Sequence, residues 1–122
     1  MHIVLDETAM AAAGKGNLLA SRLIHRAHTE TDWFLYVPAC ALVEADRARP
    51  GTAEHIAALP GATIVELDLP AALAVARQET WAQAHTEYAA QPTADRPEGA
   101  IVATTEPGRW HGRPVRVLDL NP

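Results

Sequence analysis

The chain has 122 residues, a net charge of −5 and a single cysteine. A chain of this length can bury about two-thirds of its unfolded surface, so we expect one domain over residues 1–122 that needs no disulfide or metal to hold its core. The acidic balance argues against a non-specific nucleic-acid coat protein, which would be basic overall.

The single cysteine, Cys40, lies in the apolar stretch VPACALVE and is expected to be a buried structural thiol. Because it has no partner for an internal disulfide, a reducing, cytoplasmic location is expected. No apolar run approaches the roughly 20 residues of a membrane span, and the basic start and apolar core of a signal peptide are absent. We therefore expect no membrane partner.

The first half of the chain predicts two strands and four helical segments. In chain order they are a buried strand over residues 2–5, a brief helical segment over 8–14 broken by Gly14-Lys15-Gly16, a helix over 18–28 capped by Asn17, an aromatic and β-branched strand over 33–37, a helix over 39–48 opened by Pro38, and a helix capped by Thr52 that ends near Leu59. Pro-Gly pairs at 50–51 and 60–61 end the last two helices.

The second half continues the alternation. It predicts a strand over 63–67, an alanine-rich helix over 70–90, a polar loop over 91–99, and strands over 100–105 and 115–120. Short, almost continuously apolar strands that alternate with helices are typical of a sheet covered on both faces. The expected fold is a three-layer α/β/α sandwich with a five-stranded, mostly parallel sheet.

Acidic residues follow three of these elements. Asp6 ends the first strand, Glu106 ends the fourth, and Glu44 lies two turns into the helix after the second. If the first and fourth strands are neighbours where the strand order reverses, both of their acids face one crevice, and Glu44 can reach it from the side. Three carboxylates in one cleft repel one another unless a cation lies between them, and Mg²⁺ or Mn²⁺ suits oxygen ligands.

Each acid also has a simpler interpretation. Asp6 or Thr8 could cap the following helix, Glu44 could be a surface charge, and Glu106 could be a turn residue beside Pro107. Only their joint placement favours a site.

The pattern as a whole resembles the PIN domain. The features that carry the resemblance are a strand ending in Asp6, Pro38 opening the helix that holds Glu44, and a fourth strand ending in TTE. More narrowly, the chain resembles the small toxin ribonucleases of VapC type, along nearly its whole length. The resemblance implies a five-stranded parallel sheet and metal-dependent RNA cleavage. It makes Asp6, Glu44 and Glu106 the metal-binding and catalytic acids, with Thr104 and Thr105 as the hydroxyl residues before the last.

The family's third acid is missing from this chain. The resemblance aligns the family's Asp-Ala-His pattern with QAH, so that Gln83 stands in place of the aspartate. Glu79 and Glu87 lie four residues to either side of Gln83, on one face of the predicted helix, where they could reach the metal or simply solvate the helix. A neutral amide weakens metal binding, because it contributes a dipole where a carboxylate contributes a charge.

Arginines near the end of the chain could bind RNA. Arg109, Arg113 and Arg116 form a cluster suited to phosphate contacts, although a solvated surface is the simpler interpretation. Trp110 could stack on a base, or could pack the loop onto the body. His85 is expected to be a packed or hydrogen-bonded side chain and not a ligand.

Two functions remain open. The first is a Mg²⁺- or Mn²⁺-dependent endoribonuclease acting on an RNA substrate, which the resemblance pairs with a small antitoxin protein and a homodimeric state. The second is a degenerate PIN-like domain that no longer cuts and instead binds a protein or RNA partner. Gln83 favours the second, and the retained Asp6 and Glu44 favour the first.

Overall fold

A computed structural model of residues 1–122 contains five strands and six α-helices. The strands are β1 (His2–Leu5), β2 (Phe34–Pro38), β3 (Ala62–Val65), β4 (Ile101–Thr104) and β5 (Arg116–Asp119). The helices are α1 (Glu7–Gly14), α2 (Leu18–Thr29), α3 (Ala39–Ala48), α4 (Thr52–Ala57), α5 (Leu69–Val75) and α6 (Trp81–Ala90). None of these helices is long and apolar enough to cross a membrane.

The five strands form one sheet with the order β3-β2-β1-β4-β5. Every neighbouring pair is parallel, which confirms the predicted sheet. The chain builds outward from β1 to β3 and then crosses back to place β4 on the other side of β1. The first and fourth strands are therefore neighbours where the order reverses, with Leu5 opposite Ala103 at their carboxyl ends. Such a reversal opens a crevice at that edge of the sheet.

Alternate residues along the strands feed two apolar clusters. On one face, Ile3 and Leu5 pack with residues from α1 to α4, among them Met10 and Ile56. On the other face, Val4 and Val102 pack with the end of α6 and with Trp110. Both faces are covered at the inner strands β1 and β4, whereas the edge strands β3 and β5 are largely exposed. The three-layer α/β/α sandwich predicted from the sequence is confirmed.

One predicted helix is wrong. Residues 70–90 form two helices, α5 and α6, with non-helical residues before Trp81. A continuous helix of that span would be about 30 Å long, whereas a four-residue strand extends only about 13 Å. The break allows the buried residues Ala71 and Val75 of α5 and Ala84 of α6 to pack separately. High helix propensity could not indicate this, because alanine favours helix on either side of the break.

Helix starts were predicted with mixed success. The side chain of Asn17 caps α2 as predicted, accepting the Ala20 N–H at 2.9 Å. Thr52 was predicted to cap α4 and does not. It is the first residue of the helix, Gly51 occupies the cap position, and the Thr52 hydroxyl donates to the Arg49 carbonyl instead. A short 3₁₀ turn, Pro107–Trp110, follows β4 and was not predicted.

Gly99 makes the turn into β4 and provides a test of this packing. Its φ is +71°, and an added Cβ would overlap the carbonyl oxygen of Ala90. Gly112 has a similar φ of +77° with no atom near the added Cβ. Both alanine variants carry the left-handed backbone cost of about 1–2 kcal/mol, but only Gly99→Ala also meets the backbone of α6. We expect Gly99→Ala to lower the urea midpoint clearly more than Gly112→Ala. Equal midpoints for the two variants would contradict this account of the turn.

Candidate functional site

Asp6 lies where β1 ends and α1 begins. Its extended backbone (φ −81°, ψ 176°) makes it the N-cap of α1, and its side chain is fully buried. Oδ1 accepts hydrogen bonds from the Ala9 N–H at 2.9 Å and from the Thr8 hydroxyl at 2.6 Å. This oxygen therefore caps α1, as the simpler interpretation of Asp6 predicts.

The second oxygen of Asp6 faces the 3₁₀ turn after β4. Oδ2 accepts the indole N–H of Trp110 at 3.2 Å, and Nη1 of Arg109 lies 3.9 Å away. Trp110 is itself buried, so it packs its turn onto the body of the protein and offers no exposed ring for base stacking. Both oxygens of Asp6 are thus engaged by groups of the chain itself.

Arg109 joins the carboxylates of this crevice. Nη1 lies 2.6 Å from Oε1 of Glu7, and Nη2 lies 2.9 Å from Oε2 of Glu106. Burial alone would lower the pKa of Arg109, but the hydrogen bond to Glu7 and the charges of Glu7, Asp6 and Glu106 raise it. A fixed positive charge therefore occupies the space between the carboxylates. We call Asp6, Glu7, Glu106 and Arg109 the acid–arginine cluster.

Hydroxyl groups complete the cluster. Thr104 is buried at the end of β4, and its hydroxyl lies 3.1 Å from that of Thr8 and accepts the Glu106 N–H at 2.9 Å. The N–H of Thr105 donates to the Thr8 hydroxyl at 3.0 Å. These bonds tie the end of β4 to the start of α1, and they fix the backbone on either side of the crevice.

The structure brings Asp6 and Glu106 to the same edge of the sheet, as expected, but the guanidinium of Arg109 lies between them. Glu44 does not join them. It lies on an exposed part of α3 and lines a neighbouring groove, whose far wall includes Trp81. We call this the edge groove. Its lining residues are Glu7, Ala39, Cys40, Val43, Glu44, Arg47, Leu67, Glu79, Thr80, Trp81 and Ala82.

None of the residues predicted around Gln83 forms a hydrogen bond or ion pair with Asp6. Gln83 borders a small polar pocket with Glu79 and Arg113. Glu79 precedes α6, so the predicted helical spacing between Glu79 and Gln83 does not exist. Glu87 is held by Arg113 at 3.2 Å and by the amide of Gln78 at 3.0 Å.

The three arginines expected to contact RNA are engaged within the chain. Arg109 belongs to the acid–arginine cluster, Arg113 bonds Glu87 and Gln78, and Arg116 donates to the Glu98 carbonyl at 3.1 Å. They do not present one free basic patch.

The cluster as arranged does not fit a divalent cation. The oxygens of Asp6 already accept three hydrogen bonds, and the guanidinium of Arg109 holds Glu7 and Glu106. No group of three or more His, Cys, Asp or Glu side chains is arranged to hold a metal ion. A cation would have to displace Arg109 before it could reach these carboxylates.

Sequence reasoning missed two members of the cluster. Glu7 directly follows Asp6, but it was not assigned a place in the site, and Arg109 was assigned to RNA. A signal for Arg109 was present: it stands three residues after Glu106 across Pro107, the spacing of a side-chain pair on one helical turn.

His85 and Cys40 behave as predicted. Cys40 is buried, and burial raises the pKa of its thiol. The N–H of Cys40 donates to Nδ1 of the buried His85 at 3.2 Å, so Nε2 carries the ring proton. His85 is therefore a hydrogen-bonded link between α6 and the start of α3.

The fold and site define a class: an all-parallel α/β/α sandwich with an acid–arginine cluster at the reversal of its strand order. Comparison with known proteins goes no further, because no family model and no curated protein matches the chain.

Asp6→Asn tests the buried carboxylate. The substitution turns one acceptor oxygen into an amide that faces a donor, so we expect the free energy of unfolding to fall by about 1–3 kcal/mol. Glu106→Gln makes the same chemical change at an exposed carboxylate paired with the same arginine, and should cost no more than about 1 kcal/mol. Urea titration followed by circular dichroism measures both. Equal losses would contradict the burial argument.

His85 predicts a pH dependence of stability. Burial lowers the pKa of His85, partly offset by the Glu66 carbonyl and the Asp68 charge. The unfolded chain therefore binds this proton near pH 6.5 while the folded chain remains neutral, so stability is lost as the pH falls through that value. We expect the free energy of unfolding to fall less between about pH 7.5 and about pH 5.5 in His85→Gln than in wild type. His55→Gln, at an exposed histidine, is the control. An unchanged pH dependence in His85→Gln would refute the assignment.

Proposed function

We propose that this chain is a PIN-like domain that acts by binding a partner protein and does not cleave RNA. The observation that carries the proposal is the position of Arg109, whose guanidinium pairs with Glu7 and Glu106 and approaches Asp6. An internal cation already balances the crevice in which the resembled family binds its metal. Gln83, in place of the third acid, points the same way.

The edge groove supplies a surface for the partner. Val43, Trp81 and Leu67 line it with exposed fractions of 57%, 66% and 39%. Exposed apolar side chains grouped around a groove are typical of protein interaction sites. The groove thus offers the apolar area that a binding module needs.

Charge around the edge groove selects the kind of partner. Glu44 and Glu79, which belong to no ion pair of the chain, line it against one arginine, Arg47. Glu7 also lines it but is held by Arg109. An amphipathic helix with a basic flank would place apolar side chains in the groove and its cations against these acids. In the resembled family a small antitoxin has the role of partner, and we propose a protein of that kind here. A homodimer formed through the same surface is the other occupant.

Metal-dependent RNA cleavage is the second candidate function. The observation in its favour is the convergence of three carboxylates, from Asp6, Glu7 and Glu106, at the carboxyl ends of adjacent parallel strands. If Arg109 swung away, these acids would be left in a crevice that suits Mg²⁺ or Mn²⁺. Glu44 would then have to approach from the neighbouring groove.

A labelled amphipathic helical peptide, with leucines on one face and lysines on the other, tests the proposed partner-binding surface. We expect saturable binding by fluorescence anisotropy, because the groove is both apolar and acidic. Glu44→Lys should weaken binding roughly tenfold, which corresponds to about 1.4 kcal/mol. Glu54→Lys, the same charge change at an exposed residue of α4 outside the groove, should bind as wild type does. Equal binding by both variants would contradict the proposed surface.

A fluorescent RNA cleavage assay with Mn²⁺ and an EDTA control decides between the two functions. On our proposal, neither wild type nor a Gln83→Asp variant cuts RNA. Cleavage by wild type that requires metal and is abolished by Glu106→Gln would establish the ribonuclease and overturn the proposal. Glu106→Gln suits this comparison because the exposed side chain contributes little to folding.

A further inference from the structure

A second groove lies away from the acid–arginine cluster, between α2 and β5. Leu18, Leu19 and Leu23 of α2 form one wall, and Leu118 and Leu120 form the other. Trp33 also lines it. We call this the α2–β5 groove. Its volume of about 530 Å³ lies within the range of specific binding sites, and its lining is apolar apart from the basic and hydroxyl side chains of α2.

One wall of this groove is a free sheet edge. β5 is the last strand in the order, so the backbone groups on its outer side have no partner strand. The Leu120 N–H points inward, donating to the Thr104 carbonyl at 2.9 Å. Because backbone groups alternate along a strand, the N–H groups of Val117 and Asp119 point outward. An unpaired edge of this kind is a template for an added strand.

Charge at the groove differs from that of the whole chain. The chain carries −5, yet the charged and titratable side chains that line this groove are Arg22, His25 and Arg26, with no acid among them. Arg26 is occupied by Glu30 at 3.3 Å and lies over the Trp33 ring at 4.5 Å. Arg22 and His25 are exposed and belong to none of the ion pairs of the chain. A free arginine and a free imidazole beside an apolar groove complement a ligand that is both acidic and apolar.

We infer that the α2–β5 groove binds an extended acidic segment of a partner protein, which adds a strand to β5. In such a strand alternate side chains face the same side of the sheet, so apolar residues enter the groove. Carboxylates at the ends of the segment meet Arg22 and His25. The main-chain bonds to Val117 and Asp119 give affinity, and the groove gives specificity for apolar side chains.

The lining argues for a peptide over the alternatives. RNA would use the arginines but leave the leucine walls and the free edge unused, and the one aromatic ring is covered by Arg26. A second copy paired through β5 would be antiparallel, with the same faces of both sheets on one side. The cationic faces of two α2 helices would then share that side, which is unfavourable. The inference is independent of the proposed function, since the edge groove is acidic and separate.

The probe is a labelled, end-capped heptapeptide, Glu-Ser-Val-Ser-Val-Ser-Glu (the Glu-Val peptide), in which both valines and both terminal glutamates share one face of the strand. Its binding is followed by fluorescence anisotropy at low salt. We expect saturable binding to wild type, at least tenfold weaker binding to Arg22→Glu, and weaker binding as salt is added. Arg77→Glu makes the same charge change at an exposed arginine outside the groove and should bind as wild type does. Val117→Pro removes one outward N–H from the edge without touching the inner ladder, and should also weaken binding.

Controls on the probe separate the remaining occupants. A Glu-Ser peptide, which lacks apolar side chains, should bind weakly, and a Lys-Val peptide should not compete for the groove. Equal binding by Arg22→Glu and wild type, or no saturable binding of Glu-Val peptide to wild type, would overturn the inference. It would also be overturned if an RNA oligonucleotide displaced the peptide, or if wild type formed a dimer that Leu118→Asp disrupts, because RNA or a second copy would then be the occupant.

Discussion

The buried carboxylate of Asp6 is the contact on which the arrangement of the sheet edge depends. One oxygen caps α1, and the other holds the indole of Trp110, so a single side chain joins the first strand, the first helix and the turn after the fourth strand. A buried carboxylate is costly unless its oxygens are satisfied, and here every donor comes from the chain. The turn that Trp110 anchors also carries Arg109. The electrostatics of the crevice therefore follow from the same hydrogen bond that positions the turn.

The surface of the protein is divided by charge around these anchored elements. Acids collect at the edge groove beside α3 and α6, whereas the α2–β5 groove has cations and no acid among its lining residues. Both grooves are apolar inside, so charge is what distinguishes the ligands that each would accept. Two surfaces of opposite preference on one small domain would allow it to hold two different protein segments at once.

Much of the fold could be predicted because the inner strands are short apolar runs bounded by turn residues, and β1 at His2–Leu5 matches its predicted span. The site could be predicted less well. Asp6 and Glu106 were identified because strand ends mark sheet edges, but no local pattern shows how a side chain turns after the strand. Arg109 looked like a phosphate ligand beside Arg113 in the sequence. Its actual partners were set by a 3₁₀ turn held through Trp110, a contact between distant segments. The break before α6 was missed for a similar reason, since burial and not propensity decided it.

The contact between Asp6 and Trp110 spans 104 positions of the sequence, and β1 pairs with a strand that starts at Ile101. The central strand, β1, is thus near the start of the sequence, whereas one of its two partner strands is near the end. Until β4 arrives, one edge of β1 has no partner, and the loop that must close is nearly the length of the chain. Closing such a loop costs entropy before any contact offsets it, so this long-range pairing is expected to slow folding. On a ribosome, this edge of β1 would stay open until β4 has been made.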